Sequence, residues 1–100
     1  MTPQKLTKTF NAINVARGDI FVVELESNPS TGYRWNLTLE QGQARLLREE
    51  FSTVSDADGA GGKSLYVFEA TAAGQIKLHA DYVGFSGDKE DSADFKINVA

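Results

Sequence analysis

Asp19-Ile20-Phe21-Val22-Val23-Glu24-Leu25-Glu26 and Tyr33-Arg34-Trp35-Asn36-Leu37-Thr38-Leu39-Glu40, with the polar turn Asn28-Pro29-Ser30-Thr31-Gly32 between them, form the stretch that decides the fold. Phe21, Val23 and Leu25 can share one face of the first run. Tyr33, Trp35, Leu37 and Leu39 can share one face of the second. A period of two on both sides of a turn predicts two half-buried strands joined by a loop. Pro29 fixes its own φ and biases Asn28 towards an extended backbone, while Gly32 allows the positive φ needed to turn back into a strand. On composition alone these are simply turn residues. Their significance depends on the rest of the chain.

Working outward, residues 6–10 and 12–16 read as a paired or bent edge strand broken near Asn11. Arg17-Gly18-Asp19 is a turn before a strand, and its likeness to an adhesion tripeptide is discarded. Residues 44–54 contain helix formers, yet Leu46, Phe51 and Val54 fit no sustained helical stripe, so the segment is an irregular strand. Residues 55–62 are too polar and glycine-rich for a regular element. Alternation resumes at Tyr66, Phe68 and Ala70, again at Ile76, Leu78, Ala80 and Tyr82, and finally at Phe95, Ile97 and Val99. Short strands separated by turn signals, with no convincing helix, predict an all-β antiparallel sandwich of about seven or eight strands. Trp35 should face its core and hold the base of the first loop. Antibody-type domains add a disulfide beside such a tryptophan. This chain has no cysteine, so an immunoglobulin likeness concerns architecture alone.

Composition narrows the function. One hundred residues make a single domain spanning 1–100. A net charge of −4, with scattered Lys and Arg, argues against nucleic acid as a partner. No stretch approaches the ~18 apolar residues that would span a bilayer, and residues 1–11 lack the apolar segment of a signal peptide. No membrane partner is expected, and the chain should be a soluble monomer. With one histidine and no cysteine, neither a metal nor a cofactor is expected. His79 falls on the face opposite Leu78 and Ala80, as a solvated strand residue. Gly59-Ala60-Gly61-Gly62-Lys63-Ser64 lacks the first glycine of a phosphate loop and precedes a strand. Asp56-Ala57-Asp58-Gly59 lacks the later ligands of a calcium loop. No catalytic constellation stands out, and the chain reads as a binder.

Three loops exceed what connectors need: the Asn28 turn, the Gly59 run, and the turn after Tyr82 that carries Phe85. In a sandwich, connections after alternate strands fall at one end, so the three could form one edge. Here the sequence resembles the chagasin-like inhibitors of cysteine peptidases. That family carries Asn-Pro-Thr-Thr-Gly-Tyr/Phe, then Gly-x-Gly-Gly, then Arg-Pro-Trp or a variant. The first motif appears as Asn28-Pro29-Ser30-Thr31-Gly32-Tyr33, and the second intact as Gly59-Ala60-Gly61-Gly62. The third departs: Val83-Gly84-Phe85 lacks the Arg and Pro and is one residue short, with Phe85 standing for the tryptophan.

The resemblance implies an immunoglobulin-like sandwich and reversible, competitive inhibition of papain-like cysteine peptidases, papain and cathepsin L-like enzymes included. It implies Thr31 beside the catalytic cysteine, Pro29, Ser30 and Gly32 lining the centre, Gly59, Ala60, Gly61 and Gly62 along the substrate-binding side, and Phe85 on the opposite rim. It also implies a working place outside the cytoplasm or in its vesicles. Two other readings stay open on the residues alone: an adhesion or assembly module of the same shape, and a small hydrolytic domain.

Overall fold

The computed structural model of the chain describes residues 4–28, 32–53 and 62–100. Its regular elements are strands: β1 Gln4–Leu6, β2 Ala12–Val15, β3 Ile20–Ser27, β4 Arg34–Gln41, β5 Ala44–Thr53, β6 Gly62–Ala70, β7 Gly74–Val83 and β8 Lys89–Val99. They form two four-stranded sheets, ordered β1-β3-β6-β5 (sheet A) and β2-β8-β7-β4 (sheet B). The expected sandwich is therefore present, with eight strands and no helix among the described residues.

The ladders among β3 to β8 are antiparallel, whereas β1 runs parallel to β3 and β2 parallel to β8. The two N-terminal runs thus lie in different sheets rather than along one edge strand. A turn between them makes the transfer: the Phe10 amide donates to Thr7 Oγ1 at 3.1 Å, and the Thr7 amide to the Phe10 carbonyl at 2.9 Å. Alternation alone does not distinguish the two sheets, because each needs the same inward face.

The core follows the sequence periods. Phe21, Val23 and Leu25 of β3 are buried, as are Tyr66, Phe68 and Ala70 of β6, Ile76, Leu78 and Ala80 of β7, and Phe95, Ile97 and Val99 of β8. Phe21 and Phe68 are register partners, and their rings stack at 5.4 Å. Burying such a side chain stabilises the fold by about 1.5–3 kcal/mol. Together they account for a sandwich that needs no disulfide.

The β4 alternation does not bury its far half: Leu37 is half-buried and Leu39 is 43% exposed. β4 is an edge strand, and beyond Trp35 its inner face borders an open cleft between the sheets, which Leu37, Leu39, Leu46 and Leu78 help to line. β5 is a strand with a register shift between Leu46 and Arg48. That bulge is the irregularity its sequence suggested.

Each sheet carries a charged cluster on its outer face. On sheet A, Glu24 accepts from Lys5 at 2.8 Å and Lys63 at 2.9 Å, joining β1, β3 and β6. The two ammonium groups hold the Glu24 carboxyl below its usual range. On sheet B, His79 departs from expectation. It is half-buried, with Nδ1 at 2.7 Å from Asp94 and Nε2 at 2.8 Å from Asp81. Hydrogen bonds to Asp94 and then Asp81 raise its pKa. The register pair His79↔Asp94 brings the partner in from β8, which the local sequence does not reveal.

Candidate functional site

Strand register gathers the bases of the three singled-out loops at one end of the sandwich. In sheet A, Ser27 at the end of β3 pairs with Gly62 at the start of β6, and Gly62 pairs in turn with Thr53 at the end of β5. In sheet B, Arg34 at the start of β4 pairs with Val83 at the end of β7. The bases of the first and second loops are therefore neighbours in one sheet, and the first and third in the other. Of the candidate residues, Asn28, Gly32, Tyr33, Gly62, Val83, Gly84 and Phe85 are placed. Pro29, Ser30, Thr31, Gly59, Ala60 and Gly61 lie outside the described residues.

The first and third loops share an aromatic base. Trp35 is buried, and its Nε1–H donates to the Glu26 carbonyl at 2.8 Å, bridging the two strands that enter and leave the first loop. Tyr82 lies against Trp35 at 4.9 Å between centroids, and Tyr33 stacks on Tyr82 at 5.4 Å. The Asn28 amide donates to the Tyr82 hydroxyl at 3.0 Å. Tyr82 thus belongs to β7 but holds the start of the first loop. Its inward position in the Ile76, Leu78, Ala80 series was the available sequence signal, while its role as a hydrogen-bonding hub was not legible.

Contact continues outward from this base. A Cβ on Gly84 would lie 3.2 Å from the Tyr33 ring, and one on Gly32 would lie 3.1 Å from the Phe85 ring. Gly32 has φ +82°, so both its backbone and its neighbour favour glycine there. The third loop closes on itself: the Gly87 amide donates to the Gly84 carbonyl at 2.9 Å, and the Gly84 amide to the Asp88 carbonyl at 2.9 Å. Phe85 edges against Gly32 yet is 96% exposed. A ring so poorly covered is not a core plug, and it stands open to contact.

The base of the second loop is built differently. Gly62 is buried, and a Cβ there would meet the Ser52 carbonyl oxygen at 2.3 Å and the Phe51 ring at 2.7 Å. Glycine is required by close approach of neighbouring backbone. Beside this base lies a cavity of about 550 Å³, lined by Ser27, Asn28, Trp35, Gly62, Lys63 and Tyr82 together with the acids Glu26, Glu90 and Asp91.

The local field is acidic. Partial removal from water, followed by the charges of Glu90 and Asp88, raises the Tyr33 pKa. Lys8, and then the Ser92 amide, hold the Asp91 carboxyl below its usual range. Among the described residues at this end, the Ser86 hydroxyl donates to a carboxylate of Asp88 and the Lys63 ammonium pairs with Glu24, so neither is set up as a nucleophile beside a base. The discarded Arg17-Gly18-Asp19 tripeptide is a turn, with the Asp19 carboxylate accepting from the Ala16 amide at 2.8 Å. Glu40, His79 and Asp94 bring potential ligand atoms within 4.8 Å of one another. Both imidazole nitrogens already face carboxylates, which favours a proton over a cation.

A family model described as "Chagasin family peptidase inhibitor I42" matches residues 14–99. Chagasin of Trypanosoma cruzi is 31% identical over 104 residues, covering 93% of this chain and 93% of that protein. The fold is shared with the cysteine protease inhibitor EhICP2 of Entamoeba histolytica, at TM-score 0.80 and 17% identity over 97% of this chain and 95% of that one. It is shared with amebosin, at TM-score 0.74 and 24% identity over 100% of both chains. It is shared also with PbICP-C, solved in complex with falcipain-2, at TM-score 0.65 and 15% identity over 99% of this chain and 92% of that one.

Proposed function

The chain belongs to the chagasin family of peptidase inhibitors, and we propose that it lays three loops at one end of its sandwich in the active-site cleft of the papain-like cysteine peptidases it inhibits. It is an inhibitor, not an enzyme. The observation that carries the reading is the pair of registers Ser27↔Gly62 and Arg34↔Val83, which set all three loop bases side by side.

In this reading, Asn28, Pro29, Ser30, Thr31, Gly32 and Tyr33 enter the centre of the cleft, with Thr31 at the catalytic thiolate. Gly59, Ala60, Gly61 and Gly62 lie along the substrate-binding side. Val83, Gly84 and Phe85 close on the opposite rim. A peptidase cleft binds extended backbone by main-chain hydrogen bonds, and glycines let an inhibitor's backbone come as near as a substrate's. The aromatic base fixes where the first loop starts and ends, so little entropy is lost on docking. Because the wedge fills the place of substrate, inhibition is reversible and competitive.

Thr31→Arg and Gly61→Trp test the wedge. Each should weaken inhibition of papain by about a hundredfold or more, as expected for bulk placed at the centre of an interface. Neither should move the melting temperature. Inhibition that survives both substitutions in folded protein would refute the placement.

A further inference from the structure

Sheet A ends on a long edge. β5 is its outermost strand, and among the described residues it pairs only with β6. Edges of this length are ordinarily blunted by charge or proline. β5 carries Arg45, Arg48, Glu49 and Glu50, yet it also leaves Leu46, Leu47 and Phe51 45%, 44% and 42% exposed.

The bulge sets what this edge can pair with. The register with β6 passes over Leu47, so Leu46, Glu49 and Phe51 share the face of Phe68, Tyr66 and Ser64, while Arg45, Arg48, Glu50 and Ser52 share the other. In an antiparallel pair, directly opposed residues lie on the same face, so a two-fold register of β5 on itself must centre on one residue. Centred on Glu49, Arg48 faces Glu50 of the second copy and Leu46 faces Phe51, each contact occurring on both sides of the axis. Only Glu49 meets its own kind. Centred on Arg48, Arg45 faces Glu50 on both sides of the axis, but Leu46 faces Glu49 and Arg48 faces itself. Centred on Glu50, no opposite charges face each other. One register is therefore complementary in charge and in apolar contact. Arg48 and Glu50 already pair along the strand at 3.0 Å, which holds both on the required face.

We propose that the chain self-associates weakly into a two-fold dimer through β5, in the register centred on Glu49. The monomer is the dilute species, because the Glu49 pair opposes association. Antiparallel apposition sends the two loop ends in opposite directions. Each copy would remain free to inhibit, a consequence that rests on the function proposed above.

Sedimentation equilibrium from micromolar to millimolar protein tests this. Wild type should show a weak, concentration-dependent dimer, and E49Q should tighten it by about tenfold. R48E and E50R should each weaken it by about tenfold or more, and the double exchange R48E/E50R should restore it. An E49Q chain that stays monomeric at millimolar concentration would overturn the proposal. So would association that R48E leaves unchanged, or that the double exchange fails to recover. Papain inhibition measured on the same samples should match wild type throughout, so failure of the dimer and failure of the inhibitory wedge are separately visible.

Discussion

The two flanks of the loop end are held by different means. On the sheet B flank, the first and third loops rest on a continuous stack of Trp35, Tyr82 and Tyr33, and they touch each other at Gly84 on Tyr33 and Gly32 under Phe85. On the sheet A flank, the second loop springs from Gly62, which is wedged beneath the Ser52 carbonyl and the Phe51 ring. The first flank joins two loops by side chains. The second positions one loop by backbone proximity. A change in the first or third loop should therefore be felt in the other, while the second loop should respond on its own.

The largest expected effect comes from removing the shared base. Trp35→Ala deletes a buried indole and the bond to the Glu26 carbonyl, and should cost about 3–5 kcal/mol of stability in denaturant unfolding. Gly62→Ala forces a methyl against backbone, and should cost about 1–3 kcal/mol while weakening inhibition through the second loop. Phe85→Ala should leave stability unchanged, since the ring is 96% exposed. Its affinity loss should be about tenfold or more, as for an aromatic anchor.

Combining these variants sharpens the contrast. The losses of Phe85→Ala and Gly62→Ala in inhibition constant should add within about 0.5 kcal/mol. Those of Phe85→Ala and Tyr33→Ala should not. Additivity of both pairs would remove the distinction between the flanks.

The smallest effects come from the outer faces, remote from the wedge. His79 has a folded-state pKa above its unfolded value, so its contribution is fully present below about pH 6.5 and is lost as pH rises through the folded value. Glu24 has the opposite sign: its contribution is present above the ordinary carboxylate pKa and is lost as pH falls through its depressed folded value. His79→Gln should flatten only the neutral-to-alkaline arm of a melting-temperature profile, and Glu24→Gln only the acid arm. Inhibition of papain by either variant at fixed pH should stay at the wild-type level.

Much of this was legible from the side-chain periods. Phe21, Val23 and Leu25, Tyr66 and Phe68, and Ile76 and Leu78 all lie inward, because alternation reports which face is buried. Trp35 holds the loop base because its parity points it inward. Pairing partners were not legible in the same way. The parallel ladders of β1 and β2 depend on which sheet each run joins, and periodicity is silent on that. The adjacent Leu46 and Leu47 in β5 mark a one-residue bulge that shifts the parity of Glu49 and Phe51. Asp81 shares the face of His79 by the period of two, but the Asp94 carboxylate and the contact of Phe85 with Gly32 arise from cross-strand register and loop closure, which no local stretch encodes.

The most direct measurement of the central claim is titration of purified protein into papain and a cathepsin L-like enzyme at fixed substrate, following residual activity. Stoichiometric loss of activity that rising substrate relieves is the predicted result. Activity untouched at micromolar protein, in wild type and in a variant carrying Arg-Pro-Trp in the third loop, would contradict it.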